Sequence, residues 1–178
     1  MPRTKKPDLT HIAEQLRPLA VEVSTLVEDP ANARLHPTRN MEAITASLRR
    51  FGQRKPVVVR REGMIVEAGN GTLAAARALG WDHLAAVLVD DDATTATGFA
   101  IADNRTAELA TWDDAALARL LGAVKDEMPE MELGFSDEEI KHILIDPEAP
   151  VFDQIPMQVS DGLYESDDEV CPKCKTPI

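Results

Sequence analysis

The sequence predicts an α/β (α+β) fold in which helices cover a small mixed sheet, followed by a helical extension and a flexible acidic tail. Short apolar runs typical of strands alternate with longer segments whose apolar residues have helical spacing. The chain has 178 residues, of which 44% are hydrophobic, and this is enough to fill one core. Because aromatic residues make up only 4% of the chain, we expect the core to be aliphatic and rich in alanine.

The N-terminal part begins with a basic segment, residues 1–18, which we expect to be a mobile arm with a short helix around 9–16. Residues 19–23 alternate between apolar and polar side chains, and this period of two predicts a strand. A loop punctuated by proline and asparagine follows. The spacing of apolar residues then predicts a helix that begins near Thr38 and ends at Gly52.

The middle of the chain predicts a hairpin followed by a glycine-containing turn. Two strands, Val57–Val59 and Met64–Val66, flank the turn residues Arg61-Glu62-Gly63. After the second strand come Gly69-Asn70-Gly71-Thr72, and an alanine-rich helix continues to Leu79. A further strand is predicted at Leu84–Val89, so the glycine turn lies between a strand and a helix.

The later part of the chain predicts helices. One spans 93–110 and either breaks near Asp103 and Asn104 or runs through them. Asp113 is the predicted cap of the next helix. Ser136 and Glu139 have the spacing of a capping box, which predicts another helix start.

These patterns divide the chain into four segments. We expect a basic flexible arm over 1–18, a main domain over 19–126, a helical extension over 127–146, and an acidic linker over 147–178. The linker prediction rests on the three prolines and the seven acidic residues of 147–170.

Charge is distributed unevenly along the chain. The net charge of −12 by itself disfavours nucleic acid as a partner, because binding phosphates requires clustered Lys and Arg. Residues 1–61, however, carry 12 Lys and Arg against 6 Asp and Glu, whereas 62–178 carry 7 against 25. The basic part suits contact with a DNA backbone, and the acidic part suits contact with a basic protein partner. The alternative is that these charged side chains are only solvated and have no role in binding. The sequence has no apolar run of membrane-spanning length and no signal peptide, so a cytoplasmic location is expected.

The glycine turn at Gly69–Thr72 is a candidate phosphate site. Backbone N–H groups at a helix N-terminus attract anions, and glycine permits close approach of a phosphate. The Thr72 hydroxyl adds another donor. The alternative is a tight connection between a strand and a helix, for which glycine is equally suited.

The two cysteines, Cys171 and Cys174, form a CPKC motif that supplies half of a zinc site. Two further ligands are needed, so the alternatives are a site shared between two chains, a truncated zinc ribbon, or a bare dithiol.

Four blocks of the sequence together resemble the ParB-like N-terminal domain of the ParB/sulfiredoxin superfamily, over about residues 19–121. They are NARLHP, AITASLRRFGQRKPVVVR, IVEAGNGTLAAARALGW and IADNRTAELA. Similar stand-alone domains are common in bacteriophages and near DNA methyltransferases, so a phage-type stand-alone member is expected. The resemblance implies a compact α/β fold that binds a nucleotide or another phosphorylated ligand. Within this superfamily, partition proteins bind and hydrolyse CTP as DNA clamps, sulfiredoxins use ATP, one relative phosphorylates free serine, and some members are described as nucleases.

The resemblance also implies a set of cofactor-binding residues. Gln53 would contact a base or ribose, Lys55 or the neighbouring Arg54 a phosphate, and Asn104 and Arg105 the triphosphate and its metal. With the glycine turn, the predicted binding residues are Gln53, Lys55, Gly69, Asn70, Gly71, Thr72, Asn104 and Arg105. The loop with Asn32, Arg34 and His36 resembles an arginine-containing segment near the nucleotide of partition proteins.

The sequence departs from the family at the glycine turn. Thr72 stands where the family usually has arginine, and Asn70 and Gly71 stand where partition-type CTPases have glutamate and arginine. The departure disfavours catalysis more than binding, and no catalytic residue is assigned. Glu67 and the acidic residues 90–92 are candidates to hold Mg²⁺ together with nucleotide oxygens.

We therefore expect a protein that binds CTP or ATP with Mg²⁺ and acts in DNA partition, modification or regulation. NTP hydrolysis and homodimer formation stay open. One alternative is an inactive protein-binding module or inhibitor whose acidic surface mimics DNA. A further alternative is a metal-dependent nuclease.

Overall fold

A computed structural model describes residues 7–145 of the chain, which form a five-stranded sheet and five α-helices. The strands are β1 (Ala20–Glu22), β2 (Val27–Glu28), β3 (Val57–Arg60), β4 (Ile65–Ala68) and β5 (His83–Val89). The helices are α1 (Thr38–Phe51), α2 (Asn70–Ala78), α3 (Ala93–Leu109), α4 (Asp114–Glu127) and α5 (Asp137–Ile145). Short 3₁₀ turns span Glu14–Leu19, Val23–Thr25 and Glu62–Met64.

The sheet is mixed, as the sequence predicts. Its strand order is β1-β5-β3-β4-β2. The hairpin strands β3 and β4 are antiparallel, as are β1 and β5, whereas β3 pairs in parallel with β5 and β2 in parallel with β4. The central strand β3 therefore connects the hairpin to the rest of the sheet.

The main core lies between the sheet and α2. It is aliphatic, because the strands contribute alternate valines and α2 contributes Leu73 and Ala76. Its buried members are Val23, Leu26, Val57, Val59, Val66, Leu73, Ala76, Leu84 and Ala86. Burying alternate residues of β3 fixes its register, since a shift by one residue would turn polar groups inward.

Helix α3 follows one of the two alternatives that the sequence leaves open. It continues without a break through Asp103 and Asn104 to Leu109. Only Ala96 of this helix is fully buried, and Ile101 is 61% exposed. Helix α3 is thus held to the domain by few apolar contacts.

The predicted arm over 1–18 is wrong for its second half, because residues 11–13 pack on the domain. Ile12 is 1% exposed and forms a parallel bridge with Gln53. The Gln53 backbone N–H donates to the His11 carbonyl at 2.8 Å, and the Ala13 N–H donates to the Gln53 carbonyl at 3.0 Å. These extended contacts replace the helix expected around 9–16, and a 3₁₀ turn containing Pro18 follows.

Helices α4 and α5 pack together around a second, smaller core. Leu117, Leu121 and Ile143 are its buried members. The predicted capping box is present at the start of α5, where the Ser136 N–H donates to Glu139 Oε2 at 2.7 Å and the Glu139 N–H donates to Ser136 Oγ at 3.2 Å. The predicted domain boundary at residue 126 falls within the last turn of α4.

The predicted linker over 147–178, with Cys171 and Cys174, lies outside the described residues. Within residues 7–145, no helix is both long enough and apolar enough to cross a membrane. The same part of the chain contains no group of three or more His, Cys, Asp or Glu side chains placed to hold a metal ion.

Candidate functional site

The turn between β4 and α2 requires glycine at position 69. Gly69 has a φ of +101°, in the left-handed region that other residues rarely adopt. A Cβ atom added to it would lie 2.6 Å from Val57 Cγ1 on the neighbouring strand. The turn therefore brings the start of α2 close against the sheet.

The N-terminus of α2 opens into a polar cavity of about 130 Å³, which we call the turn cavity. In the described structure no side chain caps α2, whereas Asp92 caps α3 and Asp113 caps α4. The first N–H groups of a helix have no partner within the helix, so those of α2 can bind an anion. The cavity is lined by Asn32, Arg34, His36, Ile44, Glu67, Ala68, Gly69, Asn70, Gly71, Thr72, Asp103 and Asn104.

Arg34 connects the loop after β2 to α3 at the edge of the turn cavity. Its Nη1 donates to Asn104 Oδ1 at 3.0 Å and lies 3.5 Å from Glu108 Oε1. Asn104 Nδ2 in turn donates to the Ala100 carbonyl at 2.8 Å, which orients the amide. Arg34 thus places a cation beside the turn that contains Thr72.

His36 packs against the first turn of α2 because position 71 has no side chain. A Cβ added to Gly71 would lie 2.8 Å from His36 Cε1. His36 Nδ1 is 2.7 Å from Asn40 Oδ1, a contact that holds the ring in place. The imidazole therefore occupies the space that a longer residue at position 71 would need.

Asn70 has a structural role that the sequence did not reveal. Its side chain is nearly buried; Oδ1 accepts from the Asp29 N–H at 3.0 Å, and Nδ2 donates to the Val66 carbonyl at 2.9 Å. This amide ties the loop after β2 to strand β4. Any contact of Asn70 with a ligand would use its backbone N–H.

Gln53 is likewise structural, contrary to the prediction that its side chain reads a base or ribose. The residue is 1% exposed, and its Nε2 donates to the Ala85 carbonyl at 2.8 Å and to the Lys55 carbonyl at 3.0 Å. Its Oε1 accepts from the Ala85 N–H at 2.6 Å. The amide mimics a strand partner for β5 and has little capacity left for a ligand.

Lys55 and Thr72 line a second cavity of about 550 Å³, which we call the α1 cavity. Its walls are one face of α1 and the loop that follows. The lining residues are Ala43, Ile44, Ser47, Leu48, Phe51, Gly52, Gln53, Arg54, Lys55 and Thr72. Ile44 and Thr72 line both cavities, so the two lie side by side.

The structure brings Asn104 to the turn cavity but leaves Arg105 outside it. Arg105 is exposed and pairs with Glu108 on its own helix, with Nη1 to Oε2 at 3.3 Å. On the same helix, Asp103 and Asn104 line the cavity, whereas the Arg105 side chain lies along the helix surface beside Glu108. The cation expected from Arg105 is supplied by Arg34.

Glu67 is the residue whose environment the sequence predicted least well. It lies in strand β4, is 3% exposed, and within the described chain neither of its carboxylate oxygens has a hydrogen-bond partner. Burial raises the pKa of this carboxyl, as do the charges of Asp91 and Asp29, while Arg60 lowers it. An acid between Val66 and Ala68 in an otherwise apolar strand was the signal in the sequence.

The acidic residues at 90–92 do not gather around Glu67 as one cluster. Asp90 pairs with Arg61 at 2.9 Å. Asp92 caps α3, and the hydrogen bond from the Thr95 N–H lowers its pKa. Of the three, Asp91 is the one whose charge acts on Glu67.

Comparisons with known proteins identify the fold. No protein-family model and no curated protein sequence matches the chain. Among solved structures, the chain is similar to the C-terminally truncated chromosome-partitioning protein ParB from Caulobacter crescentus complexed with CTP-gamma-S. The TM-score is 0.57, and the identity is 16% over 71% of this chain and 84% of that chain. The same protein complexed to the centromeric parS site gives a TM-score of 0.43 and 15% identity over 80% of this chain and 78% of that one. A Pnob8-like ParB-N domain gives a TM-score of 0.42 and 18% identity over 72% of this chain and 60% of that chain. The chain therefore has a ParB-N-like α/β fold.

Proposed function

We propose that this protein binds a nucleoside triphosphate, CTP or ATP with Mg²⁺, through the turn cavity and acts in a DNA-associated process. The carrying observation is that an uncapped helix N-terminus, the Arg34 guanidinium and the Asn104 amide line one small cavity. Three segments far apart in sequence contribute to it, and each supplies a group that binds phosphate oxygens.

The α1 cavity suits the ribose and base of such a nucleotide. It adjoins the turn cavity at Ile44 and Thr72, and its volume of about 550 Å³ is within the range of small-molecule sites. Its apolar wall includes Phe51, and Lys55 lies at its rim to meet a phosphate. A ParB of the same fold has been crystallised with a CTP analogue, which supports testing CTP first.

Mg²⁺ would be held mainly by the phosphates. Magnesium commonly binds through one or two carboxylates together with phosphate oxygens and water, rather than in a cage made by the protein alone. When bound, the ion would neutralise phosphate charge; the residues described here bind and orient the nucleotide.

DNA would be contacted through a basic surface at the end of α1. Arg49, Arg50, Arg54 and Lys55 are exposed, and none of them forms an ion pair with an acidic residue in the described part of the chain. Cations without an acidic partner in such a short stretch suit a phosphate backbone.

The double variant Arg49→Ala/Arg50→Ala should weaken binding to duplex DNA and make the affinity less dependent on salt concentration. Arg119→Ala on α4 is the control and should change neither quantity. Unaltered DNA affinity in the double variant would remove this surface from the proposal.

Calorimetric titration with CTP, ATP, GTP and ADP in the presence of Mg²⁺ tests nucleotide binding. We expect one triphosphate to bind and Arg34→Ala/Asn104→Ala to weaken it at least about tenfold, which corresponds to about 1.4 kcal/mol. Arg105→Ala is the matched control, since Arg105 is on the same helix but outside the cavity. If no nucleotide binds, or if the double variant binds as tightly as the unaltered protein, the turn cavity is not the site.

A further inference from the structure

Glu67 introduces a charge conflict in the proposed site. Its carboxylate lines the same cavity as the N-terminus of α2 and is almost completely buried without a hydrogen-bond partner among the described residues. An ionised carboxylate repels a phosphate that lies in the same small cavity. Some positive species has to lie between them if both are to occupy the cavity.

The surrounding protein supplies only part of that positive charge. Arg60, on the adjacent strand β3, is the basic residue whose charge acts on Glu67, but its Nε is buried and has no hydrogen-bond partner in the described structure. Asp91 and Asp29 add negative charge near Glu67. Together these neighbours leave the carboxylate short of positive charge.

The other charged groups that line the turn cavity leave this balance unchanged. Arg34 is already engaged by Asn104 and Glu108, and His36 by Asn40. Asp103 adds a further acid to the lining. The turn cavity thus combines N–H groups that can bind phosphate with a carboxylate whose negative charge is only partly compensated.

We propose that Glu67 is the protein's own ligand for a divalent cation that enters the turn cavity with the phosphates of the nucleotide. This inference rests on the proposed function. One carboxylate, phosphate oxygens and water make up a coordination set that Mg²⁺ commonly adopts. In the complex with nucleotide, the divalent cation would then compensate the negative charge of the Glu67 carboxylate.

The test is to measure nucleotide affinity by calorimetry with Mg²⁺ and with EDTA, for the full chain and for Glu67→Gln. Glutamine keeps the size of the side chain but neither repels phosphate nor binds Mg²⁺ well. We expect the unaltered protein to bind at least about tenfold more tightly with Mg²⁺ than with EDTA. In Glu67→Gln this ratio should fall below about threefold, and binding in EDTA should be as tight as in the unaltered protein or tighter.

Two matched variants separate Glu67 from the other acids. Asp90→Asn changes an exposed acid outside the cavity and should retain the full dependence on Mg²⁺. Asp103→Asn changes the second acid of the cavity and tests whether that acid is the ligand instead. Thermal unfolding of each variant verifies that it is folded.

The outcomes distinguish this inference from the proposed function. Three outcomes would overturn the role of Glu67 while nucleotide binding stands. The unaltered protein could bind equally well in Mg²⁺ and EDTA, Glu67→Gln could retain the full Mg²⁺ dependence, or Asp103→Asn could lose that dependence instead. Absence of nucleotide binding by both proteins under both conditions would overturn the proposed function and the inference together.

Discussion

At the scale of single residues, Glu67 shows how a binding group can reduce the stability of the unliganded protein. Burial, Asp91 and Asp29 raise the pKa of its carboxyl above the ordinary value of 4.5, and Arg60 opposes them only in part. A raised pKa means that the folded state holds this proton more tightly than the unfolded state. The favourable contribution is therefore full below pH 4.5 and is lost as pH rises through the folded-state pKa.

Glu67→Gln should accordingly stabilise the unliganded protein at neutral pH. We expect a gain of about 1–3 kcal/mol near pH 7, because burial opposes ionisation of Glu67 in the folded state but not in the unfolded state, and almost none near pH 4, where the carboxyl is mostly protonated in both states. Urea unfolding at the two pH values measures the difference. Glu62→Gln, on the exposed hairpin turn, serves as control, and a gain that is independent of pH would show that the charge of Glu67 is not its cause.

The two glycines of the turn should respond differently to substitution by alanine. Gly69→Ala combines a left-handed backbone with a contact to Val57, so we expect a loss of about 1–3 kcal/mol or more in unfolding free energy. Gly71→Ala meets only the outer atoms of the His36 and Ile44 side chains and no backbone, so a small shift of these side chains should accommodate it at a cost of about 1 kcal/mol or less. Gly71→Ala should therefore remain folded and bind nucleotide more weakly. Urea unfolding measures the stability of both variants, and calorimetry measures their nucleotide affinity. A larger loss of unfolding free energy in Gly71→Ala than in Gly69→Ala would contradict this account.

The sequence located the turn better than it assigned the side chains around it. Gly69 and Asn104 were predicted at the site and line the same cavity, because a strand, a glycine and a helix are local features that sequence reports directly. Gln53 and Asn70 were predicted as ligands but bond to the backbone. Whether an amide faces a ligand or a strand depends on partners such as Ala85, 32 residues further along the chain, and no local pattern contains that information.

At the scale of elements, one side chain joins three segments. Gln53 lies after α1, its backbone bonds to His11 and Ala13, and its amide bonds to Ala85 of β5. The amide thus supports both the docked N-terminal segment and the sheet. The sequence predicted α1 and β5 correctly, but it missed this link and also β2, which has two residues and is too short to show a period.

Gln53→Ala should consequently be among the more destabilising single substitutions. It removes three hydrogen bonds and leaves the N–H and C=O of Ala85 buried without partners, for an expected loss of about 2–4 kcal/mol. Lys55→Ala, two residues away and exposed, should cost less than about 0.5 kcal/mol. Denaturant unfolding with circular dichroism measures both, and similar small losses in the two variants would show that the Gln53 amide is dispensable.

At the scale of the whole molecule, two separate cores suggest two units of different stability. The main core lies between the sheet and α2, and the smaller one joins α4 to α5. The two tryptophans report on them separately, since Trp81 stacks on His11 at 4.2 Å between ring centroids and Trp112 lies 6.3 Å from Phe135. We propose that the folding boundary lies between α3 and α4.

A variant of the smaller core tests this division. In a Trp81→Phe background, Trp112 is the remaining tryptophan and its fluorescence follows the α4–α5 unit. Adding Ile143→Ala should lower the midpoint of the Trp112 transition by an amount corresponding to about 2–4 kcal/mol, because Ile143 is fully buried there. Circular dichroism of the sheet and nucleotide affinity should change little; a single shared transition that shifts as a whole would mean that the two cores unfold together.

The shortness of the outer strands has a consequence for how copies of this protein behave at high concentration. An exposed strand edge is a template for pairing with another chain, and such pairing leads to aggregation. Here β1 has three residues and β2 has two, and each ends in a glutamate, Glu22 or Glu28. A partner strand would find few free backbone groups and a negative charge at both margins. The sheet is therefore protected against growth at its edges by the shortness and the terminal charge of its two outer strands.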